Sequence, residues 1–278
     1  MGILSAVTSS QTKHGIRMVL CGVEGVGKTT LAVNAPRPLL VPLEAGYSGV
    51  VVNKVPTLAK YAYVLQLLDE IIEACAAGNF VYQSLIFDSA TSLEQLIHQQ
   101  ILETDPNYSP GNKKTVTMDS ALGGYGKAFA FSNQLFLEFL AKCDTLAIDY
   151  QINIILTCHV FSAKIKDPTA GEYDSWDLLL HSPKNDKTYG KREILTQWAD
   201  FIGFIYEPLY VSEGDGKKMN KGISAGLGRM LGPSRTTSYV AKNRYALTSE
   251  IPIPIQAGWN HIAKAIHDSK GIDFFNRD

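Results

Sequence analysis

The nine residues GVEGVGKTT, at positions 22–30, constrain the fold of this chain more than any other stretch. They fit the pattern G-x-x-x-x-G-K-[ST], whose fixed positions are occupied by Gly22, Gly27, Lys28 and Thr29. Residues 16–21 before them form a short apolar run typical of a buried strand. A helix is expected to begin at Lys28 and to be short, because Pro36 would stop it. A strand, a glycine-rich turn and a helix in this order predict a phosphate-binding loop rather than a chance match.

Each part of this loop has a physical task in nucleotide binding. The glycines let successive backbone N–H groups turn towards a phosphate, Lys28 supplies a positive charge for the β- and γ-phosphates, and the Thr29 hydroxyl can ligate Mg²⁺. The predicted nucleotide-binding residues are Gly22, Val23, Glu24, Gly25, Val26, Gly27, Lys28, Thr29 and Thr30. The stretch NKVP at 53–56 lacks the Asp of an NKxD guanine-recognition loop, so ATP is favoured over GTP.

A carboxylate is expected beside this loop. Asp88 closes the apolar run SLIFD at 84–88, which is typical of a buried strand. Because the carboxyl ends of parallel strands meet at one edge of a sheet, Asp88 can lie near Thr29 and hold Mg²⁺ through water. The alternative is an aspartate that only begins a loop.

Strand and helix patterns alternate along most of the chain, which predicts an α/β fold with a mostly parallel central sheet flanked by helices. Further strands are predicted at 39–44, 153–159 and 201–207, and further helices at 57–78, 91–104, about 127–147 and about 258–269. After Pro208 the pattern becomes glycine-rich and hairpin-like. We therefore expect a polar N-terminal arm at 1–13 and a single domain at 14–278, with a core at about 14–207 and a β-rich extension with the last helix at about 208–278.

Composition narrows the function classes. The 278 residues carry a formal net charge of −1, so any binding of nucleic acid must come from local basic patches. The four cysteines are widely spaced and form no CxxC pair, which favours reduced thiols and a cytoplasmic protein, in the host cytoplasm if the chain is viral. No stretch approaches the roughly 18 apolar residues of a membrane helix, so no membrane partner is expected.

The order of the motifs resembles that of RecA-like P-loop ATPases, most closely the phage-encoded RecA- or RadA-like single-strand annealing recombinases. The resemblance covers roughly residues 14–265 and is carried by VPLEAG around Glu44, IFDSATSL around Asp88, ILTCHV around His159 and KNRYALT from Lys242. The last stretch is similar to a Lys-Asn-Arg-aromatic-Gly motif. Ala246 stands in the place of its glycine, so a less tight backbone is expected there.

The resemblance implies catalytic roles for two residues at strand ends. Glu44 would polarise the attacking water, and Ser89 after Asp88 leaves no adjacent glutamate to compete for that role. The alternative is that Glu44 is only a helix N-cap or a turn residue. His159 would sense the γ-phosphate, and its alternative is a hydrogen-bonded core histidine.

Residues 241–248 look like a strand, in which alternation would point Lys242 and Arg244 the same way. The resemblance implies that this catalytic pair acts on the γ-phosphate of a neighbouring subunit, within a homo-oligomer that binds ATP at the subunit interface. Positive charge placed around the γ-phosphate is the main source of catalysis in phosphoryl transfer. The alternative is two solvated strand cations.

Three basic segments are candidates for binding single-stranded DNA, because cations can follow the phosphates while aromatic rings stack on the bases. The first two, at 111–129 and 184–192, contribute Lys113, Lys114, Tyr125, Lys127, Lys184, Lys187, Tyr189, Lys191 and Arg192. The third lies between 211 and 244, where basic residues outnumber acidic ones. Solvated loops are the alternative, and it is the family resemblance that favours DNA.

These features predict a Mg²⁺-dependent, DNA-stimulated ATPase that binds single-stranded DNA and promotes annealing or strand pairing in phage homologous recombination, with a single-strand-binding protein as a possible partner. One alternative is a nucleotide-gated assembly module with negligible hydrolysis. Another is a P-loop motor, such as a helicase or loader, or a kinase. A kinase is disfavoured because no arginine-rich lid segment is visible in the sequence.

Overall fold

The computed structural model describes residues 14–45, 49, 51–111, 115–169, 171–183, 189–212, 221–224 and 228–274, with only the backbone of 210–212 and 221–224. In chain order the strands are β1 (Arg17–Cys21), β2 (Pro38–Pro42), β3 (Ser84–Asp88), β4 (Asn153–Cys158), β5 (Val160–Asp167), β6 (Gly171–Leu178), β7 (Phe201–Tyr206), β8 (Leu209–Ser212), β9 (Lys221–Ser224), β10 (Met230–Gly232), β11 (Lys242–Asn243) and β12 (Ile251–Pro252). The helices are α1 (Lys28–Ala32), α2 (Tyr61–Ala76), α3 (Ala90–Thr104), α4 (Lys127–Ile148), α5 (Lys191–Trp198) and α6 (Gly258–Lys270).

The central sheet has the strand order β12-β10-β7-β1-β4-β3-β2, and β11 also pairs with β7. Strands β7, β1, β4, β3 and β2 run parallel, whereas β10, β11 and β12 are antiparallel to their neighbours. The α/β fold with a mostly parallel sheet flanked by helices is therefore confirmed. Because β1, β4 and β3 are neighbours and run parallel, the loop after Cys21 and the carboxylate of Asp88 emerge at the same edge of the sheet.

Both faces of the sheet are covered, which explains why its strands read as continuous apolar runs. On one face, Val19 and Cys21 pack in the cluster that also contains the buried residues of α2, α3 and α4. On the other face, Met18 and Leu20 pack with residues of α1 and α6. Among the described helices, none combines the length and the apolar content needed to cross a membrane.

The predicted helices are found, and most strand ends lie within one residue of the prediction. The exception is β2, predicted to reach residue 44, which ends at Pro42 because its pairing with β3 ends at the Pro42–Asp88 pair. The Leu43 N–H still donates to the Asp88 carbonyl oxygen at 2.9 Å. Glu44 therefore lies in a loop just beyond the strand, beside the end of β3.

The sequence patterns did not predict the hairpin β5–β6 or helix α5. The hairpin pairs Val160 with Leu178 at its base and Asp167 with Gly171 at its tip. Most of its residues are partly or fully exposed, so neither strand carries the apolar run that marks a buried strand. The hairpin β8–β9 agrees with the predicted β-rich extension, whose later strands β10 and β12 join the central sheet.

The strand predicted over 241–248 is wrong beyond its first residues, since β11 contains only Lys242 and Asn243. The Asn243 side-chain oxygen accepts from the N–H groups of Tyr245 (3.1 Å) and Leu247 (2.9 Å), which bends the backbone into a turn. Ala246 within this turn has φ 55°, in the left-handed region. Ala246 thus adopts the left-handed conformation that favours glycine, so the less tight backbone expected from the alanine is not found.

Candidate nucleotide-binding site

The loop from Gly22 to Thr30 joins β1 to α1 and has a backbone that needs glycine. Gly22 has φ 155°, and a Cβ placed there would lie 2.5 Å from the carbonyl oxygen of Ile205. Gly27 has φ 92°, and a Cβ there would lie 1.8 Å from Nη1 of Arg229. Both fixed glycines of the motif are thus required by conformation and by close approach.

Lys28 holds its charge over this loop. Its ammonium group donates to the carbonyl oxygens of Gly22 at 2.9 Å and Val23 at 3.0 Å. Burial lowers the pKa of Lys28 below its ordinary value, and the negative charge of Asp88 opposes that shift. A cation in this place is ready to meet phosphate oxygens.

The two motifs predicted to hold Mg²⁺ are in direct contact. The Thr29 hydroxyl donates to Oδ2 of Asp88 at 2.6 Å, and the Thr157 hydroxyl of β4 donates to Oδ1. Asp88 is buried, with 3 % of its surface exposed. These oxygens suit Mg²⁺, which binds one or two protein oxygens and completes its shell with water and phosphate. A cluster of three or more His, Cys, Asp or Glu side chains that could hold a metal is absent from the described residues.

Glu44 is anchored on the first turn of α3, which begins directly after Asp88 and Ser89. Its Oε2 accepts from the Ser92 hydroxyl at 2.6 Å, and the Ser92 hydroxyl lies 3.0 Å from that of Ser89. Ser89, not Glu44, is the N-cap of α3, since its hydroxyl accepts from the Ser92 N–H. The alternative of a helix N-cap is therefore wrong for Glu44 at this helix, and its carboxylate lies at the edge of the sheet that carries Asp88.

His159 follows β4 at the same edge. Its backbone N–H donates to the Thr91 hydroxyl at 3.2 Å, and its carbonyl oxygen accepts from the Leu179 N–H at 2.8 Å. Its ring Nδ1 is buried, and within the described residues it has no hydrogen-bond partner. A hydrogen-bonded core histidine would not leave this nitrogen unpaired.

Lys242 and Arg244 lie at the opposite edge of the sheet, where β7 begins. Lys242 pairs with Ile202 of β7, whereas Phe204, farther along that strand, pairs with Cys21 just before the loop. The Lys242 ammonium donates to the last carbonyl oxygens of α5, those of Thr196 (2.7 Å) and Gln197 (2.9 Å). The structure therefore does not bring this pair to the loop of its own chain.

Arg244 shares a buried carboxylate with a second arginine. Its Nη1 lies 2.9 Å from Oδ1 of Asp200, and Nη2 of Arg17 lies 2.8 Å from the same oxygen. Nη2 of Arg244 also donates to the Gln197 carbonyl oxygen at 3.2 Å. The side chains of Lys242 and Arg244 thus both reach the end of α5. They point the same way, although Arg244 lies outside the strand.

The candidate DNA residues fall into three groups. Lys113, Lys114, Lys184 and Lys187 lie outside the described residues. Tyr125 and Tyr189 are exposed, and the Asn133 amide of α4 donates to the Tyr189 carbonyl oxygen at 3.0 Å. This bond holds the end of the second segment against α4, the helix that begins at Lys127. Arg192 is paired with Asp177 at 2.9 Å.

Lys191 was predicted to contact DNA, and this prediction is wrong for the conformation observed. Its side chain has no exposed surface, and its ammonium lies 3.2 Å from Oε1 of Glu94 and 3.2 Å from Nε2 of His98. The backbone N–H of His181 donates to the same glutamate at 2.9 Å. The buried carboxylate draws the lysine inwards, where it is out of reach of a phosphate backbone.

The buried residues Glu94 and Lys191 form a polar cluster with the half-buried His98 and His181, which the sequence patterns did not single out. Burial, together with the positive charge of Lys191, lowers the pKa of His98 to about 3. The same causes lower the pKa of His181. The ring of His181 stacks on Phe129 with centroids 3.9 Å apart.

Arg229 also reaches the nucleotide loop, and sequence reasoning had counted it only within the basic stretch between 211 and 244. Its Nη1 donates to the carbonyl oxygens of Val26 (3.2 Å) and Gly27 (3.4 Å). It stands 203 positions after Val26, and no local spacing signals such a contact.

The comparisons with known proteins agree with this geometry. None of the curated protein sequences compared with the chain matches it significantly. A family model described as "AAA domain" matches residues 14–245, which is most of the chain and spans the loop, Asp88 and the Lys242–Arg244 pair. The chain therefore belongs to the AAA domain family and is a P-loop ATPase-type protein.

Proposed function

We propose that this chain is a Mg²⁺-dependent, RecA-like ATPase that binds single-stranded DNA and promotes annealing or strand pairing in recombination, like the phage proteins that its motifs resemble. One observation carries the nucleotide part of the proposal. The Thr29 hydroxyl of the loop meets the Asp88 carboxylate at 2.6 Å, so the two motifs form one oxygen-lined site beside Lys28.

The residues at this edge have distinct tasks in the proposed reaction. Lys28 and the loop N–H groups bind the phosphates, and Thr29 and Asp88 hold Mg²⁺, which neutralises phosphate charge when bound. Glu44, held by the Ser92 hydroxyl, accepts a proton from the attacking water or orients that water. His159 contributes its imidazole ring, whose Nδ1 has no hydrogen-bond partner among the described residues, as the group that responds to the γ-phosphate.

Lys242 and Arg244 complete the site of a neighbouring subunit. The Lys242 backbone is level with Val19, two residues before the end of β1. Its ammonium, however, is bonded to carbonyl oxygens of α5, which precedes β7, so it is directed away from the loop of its own chain. The placement of the pair at the opposite edge supports a head-to-tail assembly, in which one subunit presents its amino edge to the carboxyl edge of the next.

Exposed groups support the DNA part of the proposal. Tyr125 is 99 % exposed and Tyr189 is 65 % exposed, and the Asn133 amide of α4 holds the backbone at Tyr189. Exposed rings within basic segments are suited to stacking on unpaired bases. Binding is expected to weaken steeply with salt, because lysines on phosphates release counterions.

ATP turnover across a protein dilution series, with and without single-stranded DNA, tests the proposal. We expect the rate per subunit to rise with protein concentration and with DNA. Lys28→Ala is expected to abolish nucleotide binding. Glu44→Gln should keep binding while turnover falls about 100-fold or more, and Arg244→Ala should keep binding while turnover falls about 1,000-fold.

The controls separate the parts of the proposal. Arg235→Ala removes another exposed arginine of the same region and should leave turnover without DNA unchanged. Unchanged behaviour of Glu44→Gln would favour the binding module with negligible hydrolysis. Full turnover by a dilute monomer would refute the shared site, and a lack of ATP-stimulated binding to single-stranded DNA at low salt would refute the recombination role.

A further inference from the structure

The guanidinium group of Arg229 lies against the nucleotide loop, at Val26 and Gly27. Its backbone is fixed by the central sheet, because its carbonyl oxygen accepts from the Ile253 N–H at 2.9 Å directly before β10 begins. Its Nη1 donates to the carbonyl oxygens of Val26 and Gly27. The glycine at position 27 makes this approach possible, since any Cβ there would overlap Nη1.

The guanidinium group of Arg229 has no carboxylate partner at ion-pair distance in the described part of the chain. It shares the loop with the ammonium of Lys28. A guanidinium group stays protonated in proteins and offers five N–H donors. Two cations gathered on one short loop favour a ligand that carries several negative charges.

One end of the guanidinium group lacks an acceptor. Nη2 of Arg229 is buried, and within the described residues no oxygen accepts from it. A buried charged donor without an acceptor destabilises the protein, because it has lost its water without gaining a hydrogen bond. An oxyanion placed at Nη2 would remove that cost. The two ends of the group thus differ: Nη1 bonds the loop, and the buried Nη2 has no acceptor among the described residues.

We propose that Arg229 is a nucleotide-binding residue of its own subunit, which braces the loop through Nη1 and donates through Nη2 to a phosphate oxygen of the bound nucleotide. This inference rests on the proposed nucleotide site and adds a cation to it. It concerns the same chain as the loop, in contrast to Lys242 and Arg244, which serve a neighbouring subunit.

Nucleotide affinity of the full-length protein, measured with Mg²⁺–ADP and Mg²⁺–ATP, tests this role. Arg229→Ala is expected to weaken both nucleotides about 10- to 100-fold, because a hydrogen bond to a charged group is lost. Millimolar guanidinium ion should restore part of the affinity of Arg229→Ala. The salt dependence of binding should also become shallower, since one cation–phosphate contact is missing. Arg235→Ala, the charge-matched control in the same region, should bind as the unchanged protein does.

The outcomes distinguish the inference from the function on which it rests. If Lys28→Ala loses binding but Arg229→Ala binds within twofold of the unchanged protein, the role of Arg229 is refuted and the nucleotide site stands. If Lys28→Ala also binds normally, the nucleotide site itself is refuted. Reduced affinity with an unchanged salt dependence and no rescue would show that Arg229 only braces the loop, which contradicts the proposal. Arg229→Met, which keeps the aliphatic stem, provides the same comparison if Arg229→Ala does not fold.

Discussion

Lowering the pH from 7.5 to 5.0 should destabilise the protein, in part through the half-buried imidazole of His98. Its Nε2 lies 3.2 Å from the ammonium of the fully buried Lys191, and its ring meets Phe129 edge-on with centroids 5.8 Å apart. Burial and the positive charges of Lys191 and His181 lower the pKa of His98 to about 3. The folded protein therefore keeps this ring neutral at pH 5.

The size of the effect follows from the unfolded chain, in which His98 has the ordinary pKa of about 6.5. Above that pH neither state binds the proton, and no stability is lost. Between pH 6.5 and about 3 only the unfolded chain binds it, so the free energy of unfolding falls by about 1.4 kcal/mol per pH unit. At pH 5, which is 1.5 units below 6.5, the loss is about 2 kcal/mol.

Urea unfolding of the unchanged protein and of His98→Gln at both pH values isolates this contribution. The Gln amide stays neutral, and its oxygen can accept from Lys191 as the imidazole nitrogen does. We expect the unchanged protein to lose about 2 kcal/mol more than the variant between pH 7.5 and 5.0, since other titrating groups act on both. Equal losses in the two proteins, or an NMR titration of His98 centred near 6.5, would refute the reasoning.

Two further substitutions test local features by urea unfolding at neutral pH. Ala246→Gly should raise the free energy of unfolding by about 1 kcal/mol, because it relieves the backbone strain of an alanine at φ 55°. The matched Ala141→Gly, on the exposed face of α4, should lower the free energy of unfolding by about 1 kcal/mol. A decrease in both variants would contradict the turn geometry. Thr157→Val should lower the free energy of unfolding by about 1–2 kcal/mol, because buried Asp88 loses a donor. Thr157→Ser keeps the hydroxyl, so it should keep most of the stability that Thr157→Val loses. Equal losses in the two variants would show that packing is the cause instead.

The nucleotide loop and Asp88 could be predicted because their signals are local. A glycine-rich motif between a strand and a helix fixes the loop, and a carboxylate at the end of a parallel strand must emerge at the same edge. The same argument predicted that Glu44 would lie at this edge, although its strand ends two residues earlier than predicted. The contact between Thr29 and Asp88 then follows from the strand order alone.

The features that sequence reasoning missed depend on contacts between distant parts of the chain. Lys191 looked like one of several loop cations, but Glu94, on another helix, draws it into the interior. Arg229 looked like part of a basic stretch, and only the pairing of β10 with β7 brings it to the loop. Periodicity and composition describe neighbours along the chain, so they carry no information on such contacts.

The turn after β11 was misread because Lys-Asn-Arg has the alternation of a strand. The side chain of Asn243 decides the outcome: its oxygen binds two backbone N–H groups ahead of it, and its nitrogen donates to the carbonyl oxygens of Pro233 (2.8 Å) and Leu247 (3.0 Å). The middle residue of the motif is thus structural. It fixes the turn that places the cations on either side of it.

Those two cations are not equally available to a neighbouring subunit. Lys242 donates to two helix-end carbonyl oxygens, those of Thr196 and Gln197. Arg244 also donates to the Gln197 oxygen, so removal of Lys242 would leave the Thr196 oxygen without its donor. Arg244 is half-exposed, and the carboxylate of Asp200 that it contacts keeps its bonds to Arg17 when Arg244 leaves. Because the buried Asp200 stays paired with Arg17, Arg244 can exchange Asp200 for a triphosphate without leaving an uncompensated buried charge. We therefore expect Arg244 to be the cation that acts on the adjoining nucleotide, and Lys242 to hold the turn that presents it.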